Sequence, residues 1–172
     1  MKRNITFCII VAVTFLLSAC SSASKDAKTI SALEEESYEG FDTVKLNNLI
    51  TSYHKYVADY PDDSLAPEYL LRAGSIYMKL GHGDEAINDF DRLIETYPGF
   101  EKLPEVYYYR AYTFEGVLYD IFTAKIAYED FIERYPDHYM ANDARMSIKY
   151  LGMSPEEIVK SFETETTDTL EE

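Results

Sequence analysis

The chain has 172 residues, room for one domain with short extensions. Apolar residues make up 47% of it, enough for a packed core, so wholesale disorder is excluded. Acids outnumber bases 31 to 16, for a formal net charge of -15, which excludes nucleic-acid binding as the main business because phosphate contacts need clustered Lys and Arg.

Met1-Lys2-Arg3-Asn4 is a short basic start, followed by an almost unbroken apolar run from Ile5 to Leu17. A membrane-spanning helix needs about twenty apolar residues, so this shorter run reads as the core of a cleaved signal segment. It ends in Leu17-Ser18-Ala19-Cys20, which resembles the lipobox of bacterial lipoproteins: an aliphatic residue, two small residues and a cysteine. The resemblance implies cleavage after residue 19 and acylation of Cys20. Cys8 then leaves with the signal segment, and no thiol remains for a disulfide, a metal or catalysis. Acyl chains bring about 0.8 kcal/mol per buried methylene, enough together for a stable anchor. The absence of Asp at position 21 resembles the outer-membrane retention pattern, which implies a site on that membrane facing the periplasm.

Residues 20–42 read as the lipidated N-terminus and a flexible tether. Ser21-Ser22-Ala23-Ser24 is small, Glu34-Glu35-Glu36 is a like-charge run, and Gly40 interrupts any short helix begun by Ile30 and Leu33. Residues 43–162 read as a helical repeat domain. Tyr60-Pro61, Tyr97-Pro98 and Tyr135-Pro136 recur with a period of about 38 residues, in the range of repeat arrays. Superimposing them aligns Leu49, Ala86 and Ala124; Tyr53, Phe90 and Tyr128; Tyr56, Leu93 and Phe131; and Val57, Ile94 and Ile132. Within each segment these positions follow i, i+4, i+7, i+8 and i+11, the stripe of a helix that buries one face. A second helix precedes the last two segments. Arg72-Ala73 and Arg110-Ala111 lie one period apart, and Pro67-Glu68 and Pro104-Glu105 open these helices. The Leu80-Gly81-His82-Gly83-Asp84 stretch supplies a tight turn between helices.

Gly74, Tyr77, Ala86, Phe90 and Pro98 stand where the tetratricopeptide pattern has its small, aromatic and proline positions. Ala124, Tyr128 and Pro136 keep the pattern in the next repeat, while Tyr112 and Glu115 depart from it. The chain thus resembles an all-α tetratricopeptide-type solenoid of about two and a half to three helix–turn–helix repeats. Ser154-Pro155-Glu156-Glu157 reads as a capping box that opens a short C-terminal capping helix carrying Ile158, Val159 and Phe162. Residues 163–172 read as a disordered acidic tail.

The lengthened connections, such as Tyr60-Pro61-Asp62-Asp63-Ser64, resemble periplasmic tetratricopeptide lipoproteins of the outer-membrane assembly type (BamD/YfiO) and the cell-wall coordinator CpoB/YbgF. Carried onto this chain, the family's groove positions fall on Glu68, Leu71, Arg72, Ser75 and Lys79, then on Val106, Tyr109, Arg110 and Thr113. Arg72 and Arg110 either hold carboxylates of a partner or pair with acids of the chain itself. The expected partner is an envelope protein, such as a β-barrel assembly component, with the membrane reached through the lipid anchor. Nucleic acid and small-molecule substrates are not expected.

No HExxH, phosphate-binding loop, nucleophile elbow or dinucleotide fingerprint is present, so no enzyme is expected. His54, His82 and His138 lack companions at ligand spacing, and His82 with Asp84 is the nearest pair, so neither a metal nor a cofactor is expected. The reading is an adaptor of the bacterial envelope acting in outer-membrane protein assembly. The alternatives are a CpoB-like coordinator of wall synthesis with envelope constriction, or a structural or accessory lipoprotein of an uptake or surface system.

Overall fold

A computed structural model describes residues 22–37 and 41–168, and these form helices joined by short connections, with no strand among them. Helix α1 covers residues 22–37. It is followed by α2 (Thr43–Asp59), α3 (Leu65–Leu80), α4 (Gly83–Thr96), α5 (Leu103–Gly116), α6 (Ile121–Arg134), α7 (Ala141–Tyr150) and α8 (Pro155–Asp168). The starts of α3, α5 and α7 follow one another at the period of the sequence, as do those of α4 and α6. Contacts divide the chain into one compact unit ending at Leu80 and another beginning at Gly81. Cys20 and Gly40, and the side chain of Phe162, lie outside what the structure describes.

Two assignments need correction. Residues 22–37, read as part of a flexible tether, are helical. Ala23, Ala27, Ile30 and Leu33 recur at helical spacing, and Asp26, Glu34 and Ser37 complete the inward stripe with polar groups that find partners on α2, its C-cap Tyr60, α3 or α1 itself. Helix α8 runs to Asp168, so residues 163–168 belong to it and not to the acidic tail. Its Thr and Glu residues are acceptable helix formers once a strong start is set. Val159, expected to cover an apolar face, is instead 58% exposed.

Most of the aligned stripe is buried as its spacing predicts; in its last row Val57 is buried, whereas Ile94 and Ile132 are partly exposed. Leu49, Ala86 and Ala124 are buried, as are Tyr53, Phe90 and Tyr128, and Tyr56, Leu93 and Phe131. Each Tyr-Pro step ends its helix in the same manner. Tyr60, Tyr97 and Tyr135 are C-caps with nearly equal backbone angles, and each donates its N–H to the carbonyl four residues back. The following proline cannot continue the helix, because it restricts the residue before it. Two successive turns then bridge to the next helix, and their bonds recur at equivalent places: Asp63 to Tyr60 and Ala66 to Asp63, Phe100 to Tyr97 and Leu103 to Phe100, His138 to Tyr135 and Ala141 to His138. These turns absorb the extra residues of the long period.

The shorter turns share a left-handed residue. Gly81 has φ +78°, and Tyr119, one period later, has φ 56°. Glycine adopts this conformation freely, whereas a tyrosine is strained there. Gly83 meets a second demand: a Cβ on it would lie 2.5 Å from Leu118 Cδ2, so its bare backbone lets α4 approach the α5–α6 turn.

The first unit is built on stacked tyrosines. Tyr53 and Tyr69 lie nearly parallel with centroids 5.0 Å apart, and Tyr56 meets Tyr69 edge-on at 4.8 Å. In the second unit α4 packs on α5, α5 on α6, and α6 on α7. Its core sets Tyr128 and Phe131 among Ala111, Ala127, Ala141 and Ala144. The capping box at α8 is present in both directions: Glu157 N–H donates to Ser154 Oγ at 3.3 Å, and Ser154 N–H to Glu157 Oε2 at 2.7 Å. That Ser154 backbone bond holds the Glu157 carboxyl below the usual carboxylate range. Ser154→Ala is expected to weaken α8 by about 1 kcal/mol, seen as roughly fivefold faster amide exchange at Ile158 and Val159. Unchanged exchange there would dismiss the cap.

Candidate docking cleft

Helices α1, α2 and α3 enclose a cleft of ≈ 520 Å³ in the first unit. Leu46, Leu49 and Tyr53 of α2, with Ile76 of α3, give it an apolar floor; Glu34, Ser37, Arg72, Ser75 and Lys79 form its polar border. The floor follows from the repeat stripe, which leaves one edge of α2 facing the gap between α1 and α3.

Glu34 organises the border. Its Oε1 accepts from the Tyr53 hydroxyl at 2.5 Å and from Arg72 at 2.5 Å. Arg72 also reaches Glu68 at 3.3 Å and lies 5.7 Å from the centroid of the Tyr69 ring. Burial works against the charge of Arg72, but the bond and attraction to Glu34, with the neighbouring Tyr53 and Glu68, outweigh it and the guanidinium pKa is raised. Burial, then the bond to Glu34, raises the Tyr53 pKa and keeps that hydroxyl a donor. Arg72 therefore serves first as an internal tie between α3 and α1. Lys79 at the cleft mouth is exposed, and has no ion-pair partner among the described residues. The cleft thus offers an apolar trough with one available cation, suited to a peptide segment that carries an apolar side chain next to a carboxylate.

Of the groove residues carried over from the resemblance, Arg72, Ser75 and Lys79 meet at this cleft. Ser75 donates to the Leu71 carbonyl at 2.8 Å, and Leu71 itself is buried. In the second unit Val106 and Thr113 are fully buried, so they pack the interior and offer nothing to a partner. Thr113 spends its hydroxyl on the Tyr109 carbonyl at 2.7 Å. Arg110 bonds Asp91 of α4 at 2.5 Å and covers the Phe114 ring at 5.3 Å. Tyr109 is half-buried, its ring edge-on to Tyr108. Both arginines therefore pair with acids of the chain, the second of the two expectations stated for them.

Glu34 and Ser37 were missed because α1 read as a tether. A signal existed: Glu34, Arg72 and Arg110 follow one another at the repeat period, so Glu34 holds the arginines' position with the opposite charge. A second surface was also missed. Tyr119, Phe122 and Ile126 are 79%, 76% and 50% exposed, whereas Gly81, Asp84 and Asn88 hold the equivalent places one period earlier. No helix among the described residues is long and apolar enough to cross a membrane. No group of three or more His, Cys, Asp or Glu among them is placed to hold a metal; His138 stands 3.9 Å from Glu105 and meets the Phe131 ring edge-on.

The period and the pattern of small and aromatic positions are similar to those of tetratricopeptide repeats, and the tetratricopeptide-repeat family model matches residues 68–99 and 105–138. The first match covers α3 from its first turn through α4, and the second covers α5 and α6. Among curated proteins the chain is similar to the outer membrane protein assembly factor BamD of Xylella fastidiosa (strain Temecula1 / ATCC 700964). The two are 22% identical, across 83% of this chain and 56% of that protein. It is also 26% identical to the outer membrane protein assembly factor BamD of Xylella fastidiosa (strain 9a5c), across 58% of this chain and 40% of that protein. The chain spans about half the length of these curated relatives.

Proposed function

We propose that the protein is an adaptor of the bacterial envelope, anchored by acyl chains on Cys20, that holds a segment of another envelope protein during outer-membrane protein assembly. The observation that carries the docking part is the cleft bordered by Arg72, Ser75 and Lys79 over an apolar floor. Tetratricopeptide repeats commonly present such surfaces to partners, and the similarity to the two assembly factors supports the setting. No catalytic role enters this reading.

The docking test is a photocrosslinker placed at Lys79, in the cleft, and another at Lys125, on the exposed side of α6. Crosslinking in intact cells, followed by capture from detergent-solubilised envelopes, is expected to give one defined partner from Lys79 and none from Lys125. Capture from Lys125 alone would move the interface away from the cleft. The anchor is tested separately. Cys20→Ala is expected to shift the protein from the membrane fraction to the soluble one, and a variant that stays with the membranes would remove the lipid from the reading.

A further inference from the structure

A single residue, Ser21, separates the proposed anchor from Ser22, where the described part of the chain begins. Residues 22–26 of α1 are already part of the packed unit. Ala23 is 6% exposed, Ser22 Oγ lies 2.8 Å from the Tyr60 hydroxyl, and that hydroxyl donates to Asp26 at 2.8 Å. Ala23 and Ser24 of α1 share a hollow with Asp63, Ser64 and Leu65 of the α2–α3 connection. The start of α1 and this connection therefore form one end of the first unit. Two residues of backbone reach at most about 7 Å, so a lipid on Cys20 leaves this end no room to drift from the membrane surface.

The docking cleft lies towards the other end. Its residues Glu34 and Ser37 lie late in the described part of α1, Leu46 in the first turns of α2, and Ser75 and Lys79 towards the end of α3. Helix α3 has 16 residues, and a rise of 1.5 Å per residue puts Lys79 about 22 Å along the axis from Ser64.

We propose that the acylated Cys20 pins the α1 start and the α2–α3 connection against the bilayer surface, so that the first unit stands on end and presents its cleft on the side away from the lipid. This rests on the reading of Cys20 as the anchor. Covalent shortness supplies the contact, since the pinned end carries Asp59, Asp62 and Asp63 beside Lys25 and Lys55 and is not a basic lipid-binding face. The excess of acids over the whole chain, 31 against 16 bases, makes anionic headgroups repel the rest of the unit and keeps it from lying down on the surface.

The test uses the full acylated chain in vesicles of phosphatidylethanolamine and phosphatidylglycerol that carry a headgroup nitroxide quencher. Once residues 1–19 are removed and Cys20 is acylated, an introduced cysteine is the only thiol. Ser64→Cys and Lys79→Cys, both at exposed positions, each receive a fluorophore. Quenching is expected to be several-fold stronger at position 64 than at 79. A Gly-Ser insert of about ten residues between Ser21 and Ser22, spanning roughly 18 Å on average, is expected to erase that difference while the protein stays on the vesicles. Mass measurement of the N-terminal peptide separates the two readings. An acylated Cys20 with equal quenching at both positions overturns the pinned orientation alone, whereas an unmodified Cys20 overturns the anchor and the orientation with it.

Discussion

Phe131→Ala is expected to lower the stability of the second unit by about 4–5 kcal/mol, the upper part of the range for losing a buried phenylalanine. Phe131 is fully buried and meets Tyr108, Tyr135 and His138 at centroid distances of 5.7, 5.9 and 5.8 Å. The size of the effect follows from its other neighbours. Ala111, Ala127, Ala141 and Ala144 line the same core, and alanine has no rotamer with which to fill a hole. Ile132, Met140 and Ile148, partly buried at the edge of this core, can fill only part of the space. The cavity therefore persists and its surface adds to the lost transfer energy. Phe131→Leu, which keeps most of the volume, is expected to lose only about 1–1.5 kcal/mol. Urea unfolding of both variants measures the difference, and a loss below about 1 kcal/mol for the alanine variant would contradict the packing described.

The second large effect is expected from alkali. Burial raises the pKa of Tyr53, Tyr56 and Tyr69 in the first unit and of Tyr108, Tyr128 and Tyr135 in the second. The Tyr53 and Tyr128 hydroxyls also donate to carboxylates, Glu34 at 2.5 Å and Glu115 at 2.6 Å, and a phenolate there would face a like charge. Below the ordinary tyrosine pKa of about 10, folded and unfolded chains bind the same protons at these sites and stability is untouched. Above it the unfolded chain releases protons that the folded chain retains, so stability falls as pH rises towards the folded pKa values. Each such tyrosine contributes at most about 1.4 kcal/mol per pH unit, so the three in the first unit together reach about 4. Melting temperature is expected to be flat from about pH 8 to 10 and to drop steeply beyond, with the tyrosinate absorbance of the buried rings, additional to that of exposed ones such as Tyr119, appearing as the helix signal is lost. Tyr53→Phe should make the decline shallower. Exposed rings such as Tyr119 ionise at about pH 10 in any case, so full tyrosinate absorbance from all 16 tyrosines at that pH in a chain still folded would refute the burial of these hydroxyls.

The parts of this architecture that the sequence revealed were those with both period and apolar character. The stripe at Tyr53, Phe90 and Tyr128, the Tyr-Pro helix ends, the left-handed Gly81 and the reciprocal bonds of Ser154 and Glu157 all follow from local rules that tertiary packing does not override. Helix α1 was hidden for a physical reason. Its inward face is made of Ala23, Asp26, Ala27, Ile30, Leu33, Glu34 and Ser37, and a stripe so rich in small and charged groups has little hydrophobic signal. Only partners far along the chain, Tyr53, Tyr60 and Arg72, reveal that its acids are turned inward. Of the groove assignments in the second unit, Val106 and Thr113 are buried, and their helix carries so many apolar and aromatic residues that no single face declares itself. The exposure of Phe122 and Ile126 is likewise invisible to periodicity, which reads any apolar residue on a helix as core.

The equivalence of the three Tyr-Pro connections has an architectural consequence. Each one receives a helix through the same cap, releases the next after the same pair of turns, and closes those turns with bonds that span only a few residues. A junction so self-contained is indifferent to which block precedes or follows it. Genetic duplication or loss of a whole helix–turn–helix segment at these points would splice like onto like, leaving every turn bond of the remaining joints with a partner. The number of helix pairs in such a lineage can change by whole modules without a new way of turning the chain.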